Sequence, residues 1–431
     1  MVRQSFLQDV TKVLSSNVFT IINGLIISII LSRQLGPSGF GLYSAILVVP
    51  LIVISITQLG IRASAIYFIG NKKYKTDLIV SNILMILIFS SLLGVVTAGV
   101  VFFVMNDENF SILMILLVLL IIPPRLAAIQ IGGIFLGLEQ IKKAMMLNWL
   151  TIFINLISVI VLVWILAFQI NGALLSMLIA YCIITGWAFF VIRKEHIVIF
   201  KPDFHIIKNL LKKGIVFALA FLIIQLNYRI DILILKELVS LKEVGYYSLG
   251  ASIAEKLWQL PLAIGIVLMS RTANATDQQA INISTAKLFR VSLIAGVMAA
   301  GILFVITPVV VPAIWGKDFQ PSIRILQFIL PGILFISQYR ILSSRLSGIG
   351  LPQIAIYVFF PALIINIVLN YWWIPLYGAM GAVMATNASY TFGSIIFLFV
   401  YAKVVKMPVS EMLSYKKTDF DFLIALKRKF L

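Results

Sequence analysis

The chain has 431 residues, 61% of them hydrophobic and only 12% charged. A soluble protein cannot hide that much apolar surface and still cover itself with polar groups, so the composition excludes a soluble globular enzyme and points to a bilayer. The formal net charge of +18 would suggest nucleic acid in a soluble chain; here it reads as the basic bias of one membrane face, and no nucleic-acid partner is expected.

Apolar runs follow one another almost from end to end, each long enough to cross a hydrocarbon core of about 30 Å. Hydropathy predicts transmembrane helices over 13–32, 41–68, 80–104, 111–136, 145–168, 172–192, 214–236, 245–270, 286–312, 322–347, 353–374 and 377–402, about twelve in all. The runs show no period-2 alternation, which argues against a β-barrel, and in lipid a helix satisfies its own backbone. The fold class expected is therefore an all-α integral membrane protein. Gly36-Pro37-Ser38-Gly39 and Gly350-Leu351-Pro352 punctuate two of the gaps. The first run passes into Arg33-Gln34-Leu35-Gly36-Pro37 without a small-residue cleavage site, so it reads as a retained helix and not a secretory signal.

Charge sorts the loops into two sets. The N-terminus, 69–79, 137–144, 193–213, 271–285 with the start of the next helix, 346–352 with Arg345, and the tail carry most of the basic residues, among them Lys72, Lys73, Lys142, Lys143, Arg193, Lys194, Lys212, Lys213, Arg271, Arg290 and Arg345. The alternate loops hold only Arg33, Lys236, Lys242 and Lys317. An excess of about six to one predicts that the first set is cytoplasmic, with both termini inside. The tail 403–431 is basic, and Phe420, Leu423, Lys427 and Phe430 recur at helical spacing, as in a helix lying on anionic lipid.

Two halves of the chain echo each other. One insertion aligns Gly41, Tyr43 and Ser44 with Gly245, Tyr247 and Ser248. Further on, Gly137-Leu138-Glu139-Gln140 matches Gly350-Leu351-Pro352-Gln353, and Gly172-Ala173 with Tyr181 matches Gly381-Ala382 with Tyr390. The offset stays between 204 and 213, which predicts two six-helix bundles, 1–200 and 201–402, followed by the tail. Paired bundles of this kind suit a transporter that alternates access.

The segment Leu31-Ser32-Arg33-Gln34-Leu35-Gly36-Pro37-Ser38-Gly39-Phe40-Gly41-Leu42-Tyr43-Ser44 resembles the first-loop signature of the bacterial polysaccharide biosynthesis family, the Wzx-type flippases. Gly137-Leu138-Glu139-Gln140 followed by Lys142-Lys143 resembles that family's loop between helices four and five. The family belongs to one superfamily, called MOP, with multidrug and toxin extrusion (MATE) transporters and lipid II flippases. The resemblance implies a multi-pass protein of the bacterial plasma membrane. Its cargo would be a polyprenyl-pyrophosphate-linked oligosaccharide, moved from the cytoplasmic to the outer leaflet. It also implies membrane lipids and a polysaccharide polymerase or chain-length regulator as partners.

Apart from the residues counted with the loops, eight ionisable residues fall inside or at the ends of the spans: Arg62, Arg125, Arg229, Asp231, Glu255, Lys256, Arg324 and Arg340. A charge at a helix centre costs about 2.5–3.5 kcal/mol on insertion scales, so each should face a cavity or a partner. Six are basic and two acidic, a net +4 that suits a pyrophosphate, and the arginine fork matches phosphate oxygens. Arg125 follows Pro123-Pro124 and Arg340 follows Pro331-Gly332, 215 residues apart and near the repeat offset, as for broken helices lining a binding site. Arg62, Arg125, Arg229, Lys256 and Arg340 are the candidate cargo residues, with packing pairs or snorkelling as the plain alternative. Asp231 and Glu255 are the candidate coupling acids; pairing of Arg229 with Glu255, or of Asp231 with Lys256, is their structural explanation. Arg324 reads as interfacial. The tryptophans read mostly as interface belts, with Trp258 a candidate to stack on a sugar.

No phosphate-cradling loop, zinc motif or nucleophile elbow occurs, and Cys182, His196 and His205 make no metal set, so neither enzyme chemistry nor a cofactor is expected. Two rivals stand beside the flippase. A drug or cation antiporter of the same superfamily would carry an acid in its first helix, where 13–32 holds Asn17 and Asn23 but none. A membrane scaffold recruiting sugar polymerases through its tail would not need interior charges.

Overall fold

The computed structural model describes residues 6–71, 74–195, 202–273, 277–416 and 419; at 6–17, 270, 271 and 273 only the backbone is described. Among these residues every regular element is a helix. Eleven helical runs are long and apolar enough to cross a membrane. The first, Val18–Gly70, has 53 residues and would extend about 80 Å at 1.5 Å per residue, far beyond a hydrocarbon core of about 30 Å. Its backbone breaks at Gly36 (φ 65°, ψ −179°) inside α1 (Phe6–Thr57) and again at Leu59-Gly60, before α2 (Ile61–Gly70). The run therefore contains both spans expected there, and eleven helical runs make twelve crossings.

The other elements follow the hydropathy: α3 (Thr76–Met105), α4 (Ile112–Gly137), α5 (Ile141–Val159), α6 (Gln169–Glu195), α7 (Phe204–Leu238), α8 (Leu241–Ala254), α9 (Gln259–Ala273), α10 (Gln278–Ile314), α11 (Ser322–Gly348), α12 (Gln353–Tyr377), α13 (Ala379–Val405) and the short α14 (Val409–Leu413). Several helices begin well before their apolar run. The loop expected over 193–213 is largely helix, because Asp203 accepts from the N–H groups of His205 and Ile206 at 3.0 and 3.2 Å and starts α7 in polar surroundings. Asp277 does the same for α10, accepting from Gln279 and Ala280 at 2.9 and 3.0 Å. The span 245–270 is interrupted: a 3₁₀ turn, Glu255–Trp258, separates α8 from α9.

Two compact units emerge. One comprises Ser16–Ser248 with Pro312–Phe319; the other comprises the described residues of Met1–Ser15, Leu249–Val311 and Gln320–Leu431. In the first unit α7 packs on α2 and α3. The glycines aligned by the repeat, Gly41 of α1 and Gly245 of α8, meet within the same unit. A Cβ on Gly41 would lie 2.0 Å from the Leu241 carbonyl oxygen, and one on Gly245 would lie 2.0 Å from that of Pro37. Only glycine permits backbones to cross so closely. Arg33 donates to the carbonyls of Ala313 and Ile314 at 2.7 and 2.8 Å, capping the end of α10.

In the second unit α11 packs on α9 and α13, and α12 on α13. Two basic residues counted with the cytoplasmic loops, at the helix ends, are buried. Arg345, 2% exposed, donates to the side-chain oxygens of Asn282 and Gln278. Arg290, 3% exposed, holds the tail: it donates to both carboxylate oxygens of Asp419 at 2.7 and 2.8 Å and to the carbonyls of Glu411 and Met412. Phe420, Leu423, Lys427 and Phe430 lie outside the described residues. The tryptophans divide: Trp164 and Trp372 are exposed, as belts require, but Trp258 and Trp315 are buried, the latter donating to Ser28 at 3.0 Å.

Candidate functional site

In the first unit the candidate site forms around a break in α4. Pro123 and Pro124 have no N–H, so the carbonyls one turn earlier lose their donors. The break is braced from α6, where Thr185 donates to the Pro124 carbonyl at 2.8 Å. Arg125 follows, half-buried, with its guanidinium carbon 5.6 Å from the centre of the Tyr181 ring. Tyr43 of α1 lies within electrostatic reach of Arg125 and Tyr181. No carboxylate pairs with Arg125 among the described residues. Arg62 has its backbone pressed against Gly133 of α4 and its side chain exposed, and among the described residues it joins neither this cluster nor an ion pair. On α7, Arg229 is half-buried and Asp231 is 1% exposed. Asp231 accepts from the Tyr247 hydroxyl and from the Ile232 N–H at 2.8 Å.

In the second unit a corresponding break lies in α11. Pro331 interrupts the ladder, and Asn387 of α13 steps into it. The Gly332 N–H donates to the Asn387 side-chain oxygen at 2.8 Å, and the Asn387 amide donates to the Phe328 carbonyl at 2.6 Å. One side chain thus bridges the two backbone groups that a regular helix would join to each other. Further along α11, Arg340 stands with its guanidinium carbon 4.3 Å from the centre of the Trp258 ring. Trp258 belongs to the 3₁₀ turn that also carries Glu255 and Lys256, both half-buried. Arg324 is exposed near the start of α11.

Each unit therefore contains a proline-broken helix, a brace from a later helix and an arginine laid against an aromatic ring. The structure brings Arg340 to Trp258, beside Lys256 and Glu255, and brings Arg125 to Tyr181 and Tyr43, which in the sequence stand out only as repeat markers. Tyr43 and Tyr247 are repeat mates, and each attends a charge. That pairing was the available signal for them. Thr185 and Asn387 carry no sequence signal, because polar residues bracing a neighbouring helix look like any others.

The fold and these interior charges define a helical membrane transporter, and comparison with known proteins assigns it. The family model described as "Polysaccharide biosynthesis protein" matches residues 6–269, and the chain belongs to that family; the MatE model matches residues 217–372. An uncharacterised membrane protein of Methanocaldococcus jannaschii is 22% identical over 89% of this chain and 94% of its own length. A candidate O-antigen transporter of Shigella flexneri is 24% identical over 40% of this chain and 42% of its own. Among solved structures, the lipid II flippase MurJ in an inward closed conformation aligns with TM-score 0.71 at 17% identity, covering 96% of this chain and 95% of MurJ. An inward-facing MATE multidrug transporter of the MOP superfamily aligns with TM-score 0.71 at 14% identity, covering 90% and 94%. At these identities the structural likeness speaks to the fold alone, which this chain shares with MATE and MurJ transporters.

Proposed function

We propose that this protein flips polyprenyl-pyrophosphate-linked oligosaccharide repeat units from the cytoplasmic to the outer leaflet of a bacterial plasma membrane, for surface polysaccharide synthesis. The observation that carries this reading is the pair of interior arginines, Arg125 and Arg340, each beyond a proline break and against a ring. A ring on the face of a guanidinium leaves its in-plane N–H groups for oxygen acceptors, which suits a pyrophosphate. Arg62, Arg229 and Lys256 are the further basic residues we assign to the cargo path. Family membership and the partial match to the O-antigen transporter support the same cargo. Both termini are assigned to the cytoplasm, where a polysaccharide polymerase or chain-length regulator would be a working partner.

The test is reconstitution in liposomes with a polyprenyl-pyrophosphate-linked oligosaccharide, read as exposure of the sugar to an external modifying enzyme. Wild type should expose it, and Arg125→Ala and Arg340→Ala should not. No exposure by wild type, across several lipid-linked sugars, would remove the reading.

One observation favours the antiporter: the MatE match covers 217–372 and includes both interior acids, Asp231 and Glu255. These are the residues we assign to coupling. A proton-coupled cycle should lose its pH dependence in the Asp231→Asn, Glu255→Gln double variant. Efflux of a cationic dye with no movement of lipid-linked sugar would decide for the antiporter.

A further inference from the structure

The second unit contains a cavity of about 240 Å³ between the 3₁₀ turn with the start of α9, the middle of α10 and the middle of α11. Its room has a local cause. α10 presents Ser292, Ala295, Gly296 and Ala299 to it, one helical face of small side chains. On the facing wall Pro261 has no N–H to close the helix back to Leu257, so the backbone there is already irregular. Irregular backbone at membrane depth is tolerated where it lines a cavity.

Two side chains that line the cavity, on α10 and α11, are left unsatisfied. Gln338 is 5% exposed and Ser292 is 1% exposed. Neither amide atom of Gln338, nor the hydroxyl of Ser292, has a hydrogen-bond partner among the described residues. Buried polar groups in folded proteins are nearly always bonded, so an orphaned amide and hydroxyl on residues that line one space call for a partner there.

The donors and acceptors define its chemistry. A bare cation needs acceptors alone and would meet Lys256 on the wall. A bare anion needs donors alone and would meet the Gln338 carbonyl. Amides at Gln259 and Gln338 and the hydroxyl of Ser292 both give and take, as sugar hydroxyls do, while Ser337, whose hydroxyl donates to the Ile333 carbonyl, can still accept. Leu257, Leu260 and Leu334 offer apolar surface to the C–H face of a ring. The volume is below the range of about 300–1,000 Å³ typical of drug-sized ligands, and equals about eight waters at roughly 30 Å³ each. That is room for one ring and not for a chain.

We infer that this cavity is a monosaccharide subsite, in which Gln338 and Ser292 bind one sugar ring. The inference rests on the flippase reading and deepens it by naming residues that select among cargoes.

The test uses the full chain in nanodiscs and three probes: undecaprenyl pyrophosphate bearing one N-acetylhexosamine, the same lipid without sugar, and a free methyl N-acetylhexosaminide. Wild type should bind the sugar-bearing lipid about tenfold tighter than the bare lipid. In a Gln338→Leu, Ser292→Ala variant that ratio should fall to about one, with bare-lipid affinity unchanged. Ala295→Leu, which fills the space without removing a polar group, should do the same and guards against misfolding of the first variant. An unchanged ratio in both variants would mean the cavity holds only water and would overturn the subsite. Equal binding of both lipids by wild type would overturn it while leaving the flippase intact. Binding of neither lipid would overturn both readings. Free glycoside bound as tightly as the lipid-linked sugar, with loss in the variants, would keep the sugar chemistry and assign its source to a free sugar.

Discussion

Arginine and lysine carry the same charge, but only a guanidinium lays a flat face on a ring and keeps a fork of N–H groups at its edge. Arg125 lies 5.6 Å from Tyr181 and Arg340 lies 4.3 Å from Trp258, so lysine at either position should keep the charge and lose the geometry. Flipping in proteoliposomes is expected to fall about tenfold or more, a loss of about 1.4 kcal/mol in transition-state binding. Lysine variants at the wild-type rate would reduce the arginines to net charge. Asp231 depends on the Tyr247 hydroxyl in a site only 1% exposed. Tyr247→Phe should therefore cost about 1–3 kcal/mol, seen as a lower melting temperature of the purified protein. The arginines were legible because a charge inside an apolar run stands out. The aromatic partners were not, since tyrosine and tryptophan are ordinary in such runs and contact depends on the neighbouring helix.

At the scale of helices, hydropathy located the spans but not their ends. A hydropathy window sees the apolar stretch, whereas Asp203 and Asp277 begin their helices in the polar region by capping free N–H groups. The crossing at Gly41 makes a direct prediction. Its missing Cβ would sit 2.0 Å from the Leu241 carbonyl oxygen, so Gly41→Ala must push the backbones apart, at about 1–3 kcal/mol or more. Gly99→Ala, with nothing within 4 Å, should leave the melting temperature unchanged. The tail is held by chemistry that responds to acid. Hydrogen bonding from Arg290, foremost among several causes, lowers the Asp419 carboxyl from its ordinary value of 3.8. A depressed carboxylate contributes stability above its unfolded value and loses it as pH falls through the folded one. The tail should stay docked at neutral pH and release only in acid below the ordinary carboxylate range. Hydrogen exchange over 409–416 should report that release in wild type, and should report it already at neutral pH in Asp419→Asn.

For the whole molecule, twelve crossings and the bias of basic loops together place both termini on one side, which we propose is the cytoplasm. In a Cys182→Ser background, an impermeant maleimide should label Asn109→Cys in intact cells and Ser410→Cys only after lysis. The reverse pattern would invert the topology. The repeat proposes a division into 1–200 and 201–402, whereas packing groups α7 with α2 and α3 in the first unit. The two describe different things, a repeat proposed from sequence spacing and a set of contacts.

Composition, run length and loop charge determine by themselves that this chain is a polytopic helical membrane protein, because the bilayer is a uniform solvent that reads hydrophobicity one residue at a time. Proline breaks and isolated charges also show in the chain, as departures from that uniform pattern. Which groups meet across helices was decided only by tertiary structure. Asn387 entering the α11 ladder, Arg290 clasping Asp419, and Gln338 and Ser292 lining one cavity depend on helix rotation and depth. Those are set by packing between helices, for which an apolar sequence carries almost no local signal.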